Sequence, residues 1–251
     1  MNIIYTIAKY TVVEAIRDKF IWFVLALMLA GIPLGYFLKT LTLYGSETVV
    51  SATMIGVIYL SIAFISVLYV NIATRRELDS KIMLIVLSRP VSNTSYLLGK
   101  HLGFWFVTTI YVVIGTILLF AMGVGETKSI LLFALGTWLL QCLVVMWSLF
   151  FALLLNSLAA SVLVSIVAWV FFNSTQTLWT LTFYAQSAIV KYTGAAFYYI
   201  MPNYTRFDFK HSLLYNEPVE MFNVAVLPVY TLVYATVVLL IMWIDFSRKE
   251  Y

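Results

Sequence analysis

The chain has 251 residues, of which 63% are hydrophobic and 10% charged, with a formal net charge of +4. Soluble domains carry about a quarter charged residues, so a water-soluble fold of this composition would have to expose much of its apolar surface. The composition fits a chain whose solvent is lipid. A single cysteine, Cys142, excludes an intrachain disulfide.

Residues 1–19, MNIIYTIAKYTVVEAIRDK, are too charged to span a bilayer. They are no secretory signal either, because Glu14, Arg17, Asp18 and Lys19 fall where an apolar core and a small-residue cleavage site would be needed, and the segment is expected to be retained. As a helix it would put Asn2, Thr6, Lys9 and Arg17 on one arc and Ile4, Ala8, Val12 and Ala15 on the opposite one. That pattern predicts a helix lying in the membrane interface and joined to the first crossing; the alternative is a straight extension of that crossing into water.

Apolar runs long enough for a hydrocarbon core about 30 Å thick predict membrane helices at 20–38, 49–73, 102–122, 130–155, 158–179 and 223–244. The stretch 129–172 is almost continuously apolar and about twice the length of one crossing, with Asn156-Ser157 as the expected reversal. The expected fold is therefore a single all-α transmembrane domain, 1–251, with six crossings. Lys9, Arg17, Lys19, Arg75, Arg76, Lys81, Arg89, Lys100, Arg248 and Lys249 fall on one set of loops; Lys39, Lys128, Lys191, Arg206 and Lys210 fall on the other. By the positive-inside rule both termini are cytoplasmic and 180–222 is an extracytoplasmic segment.

A search for chemistry returns little. There is no HExxH or CxxC, and His101 and His211 are predicted on opposite faces, so no metal site is expected. Gly99-Lys100 lacks the rest of a phosphate cradle, with Thr94 and His101 where glycine and a hydroxyl residue are required. The only interfacial cluster of ionisable groups, Asp208, His211, Glu217 and Glu220, has no ligand spacing and reads as a solvated loop. No catalytic site and no bound cofactor are expected, and no nucleic-acid partner; an ATP-driven activity would need a second polypeptide.

The informative segment is 74–100, TRRELDSKIMLIVLSRPVSNTSYLLGK. Thr74 and Glu77 have capping-box spacing, Leu78, Ile82 and Ile85 recur on one face, and Pro90 stops a helix at Arg89. The reading is a short amphipathic helix over 74–90, its apolar side resting on lipid headgroups or covered by a partner.

Residues 11–20, TVVEAIRDKF, and the later RELDSKIMLIVLSRPVSNTSYLLGKHLG resemble the permease subunits of ATP-binding-cassette exporters of the type-2 export family. The first resembles the interfacial elbow helix with Glu14, Arg17 and Lys19; the second resembles the cytoplasmic coupling region, with Arg76-Glu77, Ser88-Arg89-Pro90 and Leu98-Gly99-Lys100. Asn93 stands where many members carry a basic residue. The resemblance implies a bacterial cytoplasmic membrane protein working as a dimer with a second copy of itself. It further implies a separate ATPase subunit that binds ATP and magnesium, and leaves room for an extracytoplasmic accessory protein. It assigns ATPase coupling to Arg75, Arg76, Glu77, Asp79, Lys81, Arg89 and Pro90, and makes 180–222 a re-entrant or interfacial element over the pathway, its aromatic-rich 195–208 also suited to an aromatic belt.

Asn71, Gln141, Asn156, Asn173 and Gln176 are the amides that could line a path, although amides in lipid more often hydrogen-bond between helices. No Asp, Glu, Lys or Arg is expected deep in the membrane, which argues against an ion-coupled carrier. A stand-alone carrier or channel and an integral membrane enzyme or assembly factor remain as competing readings, and nothing in the sequence selects a substrate.

Overall fold

The computed structural model describes residues 3–41, 46–83 and 91–248. The helices that lie within the described residues are α1 (Ile3–Arg17), α2 (Phe20–Thr40), α3 (Ser46–Asp79), α4 (Asn93–Ala121), α5 (Thr127–Leu154), α6 (Leu158–Asn173), α7 (Thr175–Phe183), α8 (Ala188–Ile200), α9 (Lys210–Tyr215) and α10 (Met221–Arg248), with a 3-10 turn at Tyr204–Phe207. The described residues contain no strand. Asn2, Ile85, Ser88, Arg89, Pro90 and Lys249 lie outside them.

Among the described residues five helices, α2, α3, α4, α5 and α10, are long and apolar enough to cross a membrane. The pair α6 and α7 makes a sixth if counted together, bent by 50° at Ser174. This is the architecture of a multi-pass membrane protein. The reversal at 156–157 falls between α5 and α6 as the sequence predicts.

Burial divides the bundle into a centre and a rim. Within the most apolar window, 67% of α3 and 72% of α5 are buried, against 22% of α2 and 17% of α10. The division follows where polar side chains sit. Ser61, Ser66 and Asn71 on α3 and Thr137, Gln141 and Ser148 on α5 are all buried, because such groups face protein rather than lipid. On α2 and α10 the exposed side chains include Trp22, Phe23, Phe37, Val229 and Leu232, which lipid solvates at no cost.

The first helix is not a continuation of the second. Lys19 takes a left-handed backbone conformation, φ 58°, which ends α1, and α1 then packs across α4. The close approach rests on two glycines one turn apart. A Cβ on Gly99 would lie 2.8 Å from the Ile7 side chain, and one on Gly103 would lie 2.7 Å from Thr11 and 3.0 Å from the Ala8 carbonyl oxygen.

Helix α3 runs through the predicted start of a separate helix at Thr74 and ends at Asp79. Extending an existing helix costs less than ending it and nucleating another, and no glycine or proline interrupts the turn before Asp79. Thr74 is buried inside the helix and is not a cap. The break comes at Ser80 and Lys81, where the Ser80 hydroxyl donates to the Arg76 carbonyl at 2.6 Å and Lys81 has φ 58°.

The segment after α8 is not a loop over the surface. Tyr204, Phe207 and Leu213 are buried to 1% exposure, and the Phe207 carbonyl oxygen and Phe209 ring occupy the space where Gly136 of α5 has no side chain. Three helices measure the depth. At about 1.5 Å per residue, Gly136 lies about 14 Å below the start of α5, Tyr230 about 14 Å below the start of α10, and Tyr59 about 20 Å below the start of α3. All three touch residues 203–210, so the chain dips between the helices and climbs back to the level of the helix ends by Leu213, which meets Gly125 in the α4–α5 turn.

Candidate functional site

The charged segment that ends α3 is bonded to three other parts of the bundle. The Arg75 guanidinium donates to the carbonyl oxygens of Leu155 (3.0 Å) and Asn156 (2.7 Å), and pairs with Asp79 at 3.2 Å. It thereby satisfies carbonyls left without intrahelical partners at the C-terminus of α5. Arg76 bridges Glu14 at 2.6 Å and Asp18 at 2.5 Å, tying α3 to the end of α1. Glu77 points inward, where it is paired with Lys100 and accepts a hydrogen bond from the Tyr96 hydroxyl at 3.0 Å, both on α4.

These bonds enclose a cleft of about 600 Å³ with Tyr10, Glu14, Arg17, Asp18, Arg76, Glu77, Ile82 and Lys100 in its walls. Of the predicted coupling residues within the described part, Arg75 and Glu77 are therefore committed to partners inside the chain and Arg76 is half-buried in a bridge. Asp79 and Lys81, with Ile82, present exposed side chains at the point where the chain leaves α3. Of the three elbow residues, Glu14 joins the bridge, Arg17 lines the cleft and Lys19 stands exposed at the turn.

Asp18, Tyr96 and Lys100 complete this junction, and the sequence gives only a partial signal for them. Asp18 lies i+4 from Glu14 on α1, so both carboxylates reach one partner. Lys100 and Tyr96 are likewise i+4 neighbours on α4, but nothing local indicates that Glu77 faces them.

The amides tie helices together. Asn71 donates to the Val67 carbonyl and, at 3.2 Å, to the Ser165 hydroxyl of α6. Asn173 accepts from the Tyr59 hydroxyl at 3.1 Å, and Gln176 accepts from Asn203 at 3.1 Å. Gln141 is fully buried in α5, its amide without a protein partner. Asn156 is exposed in the α5–α6 turn. These amides mark separate contacts between α3 and α6, α7 and the inserted segment, and the centre of α5.

At the opposite end, the inserted segment brings ionisable groups below the helix ends, where the sequence placed none. Asp208 accepts from the Lys210 backbone N–H at 3.0 Å and pairs with its ammonium at 3.0 Å. That ammonium lies 4.2 Å from the centre of the Tyr59 ring, a cation–π contact. The position follows from the depth of the dip, which hydropathy does not register because 201–213 mixes aromatic and polar residues. His211 is exposed and stacks on Tyr215, and Glu217 and Glu220 are exposed. The segment's backbone is held by tyrosines of α10: the Tyr230 hydroxyl accepts from the Asn203 N–H at 2.6 Å, and the Tyr234 hydroxyl donates to the Met201 carbonyl at 3.2 Å.

His101 and Cys142 meet inside the bundle, Nε2 to Sγ 3.4 Å, far along the chain from His211. Among the described residues no three His, Cys, Asp or Glu side chains converge as a metal site. The sequence matches no protein-family model and no curated protein.

Proposed function

We propose that this chain is the membrane-spanning subunit of an ATP-binding-cassette exporter, pairing with a second copy to form the pathway and powered by a separate ATPase subunit at the α1 end. The observation that carries this reading is the arrangement at the end of α3. Asp79, Lys81 and Ile82 face outward where the chain breaks away, while Arg75, Arg76 and Glu77 immediately before them are bonded to the α5–α6 turn, α1 and α4. A displacement imposed on 79–82 is thus passed to several helices through charged hydrogen bonds. ATP supplies the bias by binding one arrangement of the ATPase pair more tightly than the other.

The test is co-purification with the candidate ATPase followed by the charge reversals Asp79→Lys and Lys81→Glu together. Loss of association with normal membrane insertion is expected; retained association and retained ATP turnover would remove the coupling assignment.

A stand-alone carrier is the second reading, favoured by the Asp208–Lys210 pair lying below the helix ends. Substrate movement by the purified chain in vesicles without nucleotide separates the two.

A further inference from the structure

Two cavities follow one another along α3 and differ in chemistry. The first, of about 280 Å³, lies at the end opposite α1 and is lined by Ala52 and Gly56 of α3 with Asp208, Lys210 and His211. The second, of about 450 Å³, lies further along and is almost wholly apolar, with Leu60 and Phe64 of α3 facing Leu27 of α2 and Ile166 and Trp169 of α6. Ala52, Gly56, Leu60 and Phe64 recur every four residues and form one continuous row on the helix surface. An aromatic pair lies between them: Lys210 of the first cavity lies over Tyr59, whose ring is 6.2 Å from that of Trp169 in the second.

We propose that this row binds a membrane amphiphile, its phosphate-bearing headgroup at Lys210 and His211 and an acyl chain along Leu60 and Phe64 into the groove at Trp169. Three features select that class. Asp208 uses one carboxylate oxygen on the Lys210 N–H and the other on its ammonium, so the carboxylate fixes the lysine in place. The ammonium has three donors, and those not used by Asp208 can meet an anion in the cleft. The apolar groove follows within about 12 Å along α3, from Gly56 to Phe64 at about 1.5 Å per residue, a separation that one molecule with a charged head and a hydrocarbon tail spans and a small anion does not.

The inference deepens the exporter reading by naming a substrate class, and rests on it only for the word substrate; binding requires no ATPase. The experiment therefore uses the purified chain alone, in phosphatidylcholine nanodiscs containing a phosphatidylglycerol with a photoreactive acyl chain. Adducts are counted by intact mass and mapped by peptide. Saturable labelling is expected, mapping to 57–67 or 166–169 and falling about tenfold in Lys210→Gln, the effect of one lost charge-assisted hydrogen bond. Gly56→Leu is the second variant: a Cβ there meets nothing within 4 Å, so the side chain starts into the open space of the cleft, and labelling is again expected to fall.

Labelling unchanged in both variants would mean ordinary boundary lipid and overturn the proposal. Displacement of the label by inorganic phosphate alone would reduce the site to an anion pocket without an acyl track. A disulfide-linked dimer formed quantitatively by Leu60→Cys, without lipid adduct at 57–67, would give the groove to a second copy of the chain. Failure of an ATPase to co-purify would leave this result standing and remove only the exporter reading.

Discussion

At the α1 end, Arg75, Arg76, Glu77 and Lys100 each hold a partner on another element, so the charges act as struts between helices. At the opposite end Asp208 and Lys210 hold each other within one short segment, over an aromatic ring and beside an open cleft. The first arrangement fixes helices relative to one another; the second leaves a charged group with unused capacity. Similar residue types thus serve rigidity in one place and recognition in the other, according to whether the counter-ion comes from a distant element or from two residues away.

The comparison is broken most severely at Glu77. Its side chain is 12% exposed and that of Lys100 is 8% exposed, so Glu77→Ala strands a buried ammonium and is expected to destabilise the protein by about 3–5 kcal/mol. Thermal unfolding in detergent reads this, and the double replacement Glu77→Leu with Lys100→Met is expected to recover most of the loss, because an apolar pair of similar volume replaces a buried ion pair at little net cost.

Gly103→Leu comes next. It forces α1 away from α4, because a Cβ alone would already lie 2.7 Å from Thr11 and 3.0 Å from the Ala8 carbonyl oxygen, and overpacking of this kind costs about 1–3 kcal/mol. Faster proteolysis within 3–17 than in the parent protein is the measurement. Arg76→Ala removes a bridge whose arginine side chain is 46% exposed, and solvent screening holds the expected loss to about 1 kcal/mol or less. Transport per ATP hydrolysed should fall more than stability does if the bridge transmits displacement. Smallest is Lys210→Gln, expected to lose less than Arg76→Ala, because it gives up one partly exposed ion pair, within its own segment, where Arg76 gives up two to another helix; a large loss of stability there would put the two ends in the same class.

The membrane helices were legible because a run of apolar residues is a local property. The predicted 102–122 and 130–155 fall within or beside the observed Asn93–Ala121 and Thr127–Leu154, and the polar pair at 156–157 marks the reversal. What was not legible depends on distant partners. Arg75 and Glu77 remain helical because α5, α6 and α4 supply their counterparts, so α3 continues past the point where its hydropathy ends. The depth of 201–213 depends on Gly136, a residue whose missing side chain says nothing by itself about which ring fills the space. The spacing of Gly99 and Gly103 was a readable sign of a close helix crossing; its partner, α1, was not.

The bend at Ser174 has a consequence for backbone amides. Helix α6 has 16 residues, about 24 Å at 1.5 Å per residue, short of a full crossing, and the chain that returns at 201–209 is largely without α-helix of its own. Peptide groups at that depth must find partners in protein, and Asn203 and Met201 find them in the hydroxyls of Tyr230 and Tyr234. Hydrogen exchange should therefore protect the Asn203 amide nearly as well as those of the helices around it, and Tyr230→Phe should release that amide while leaving α10 unaffected.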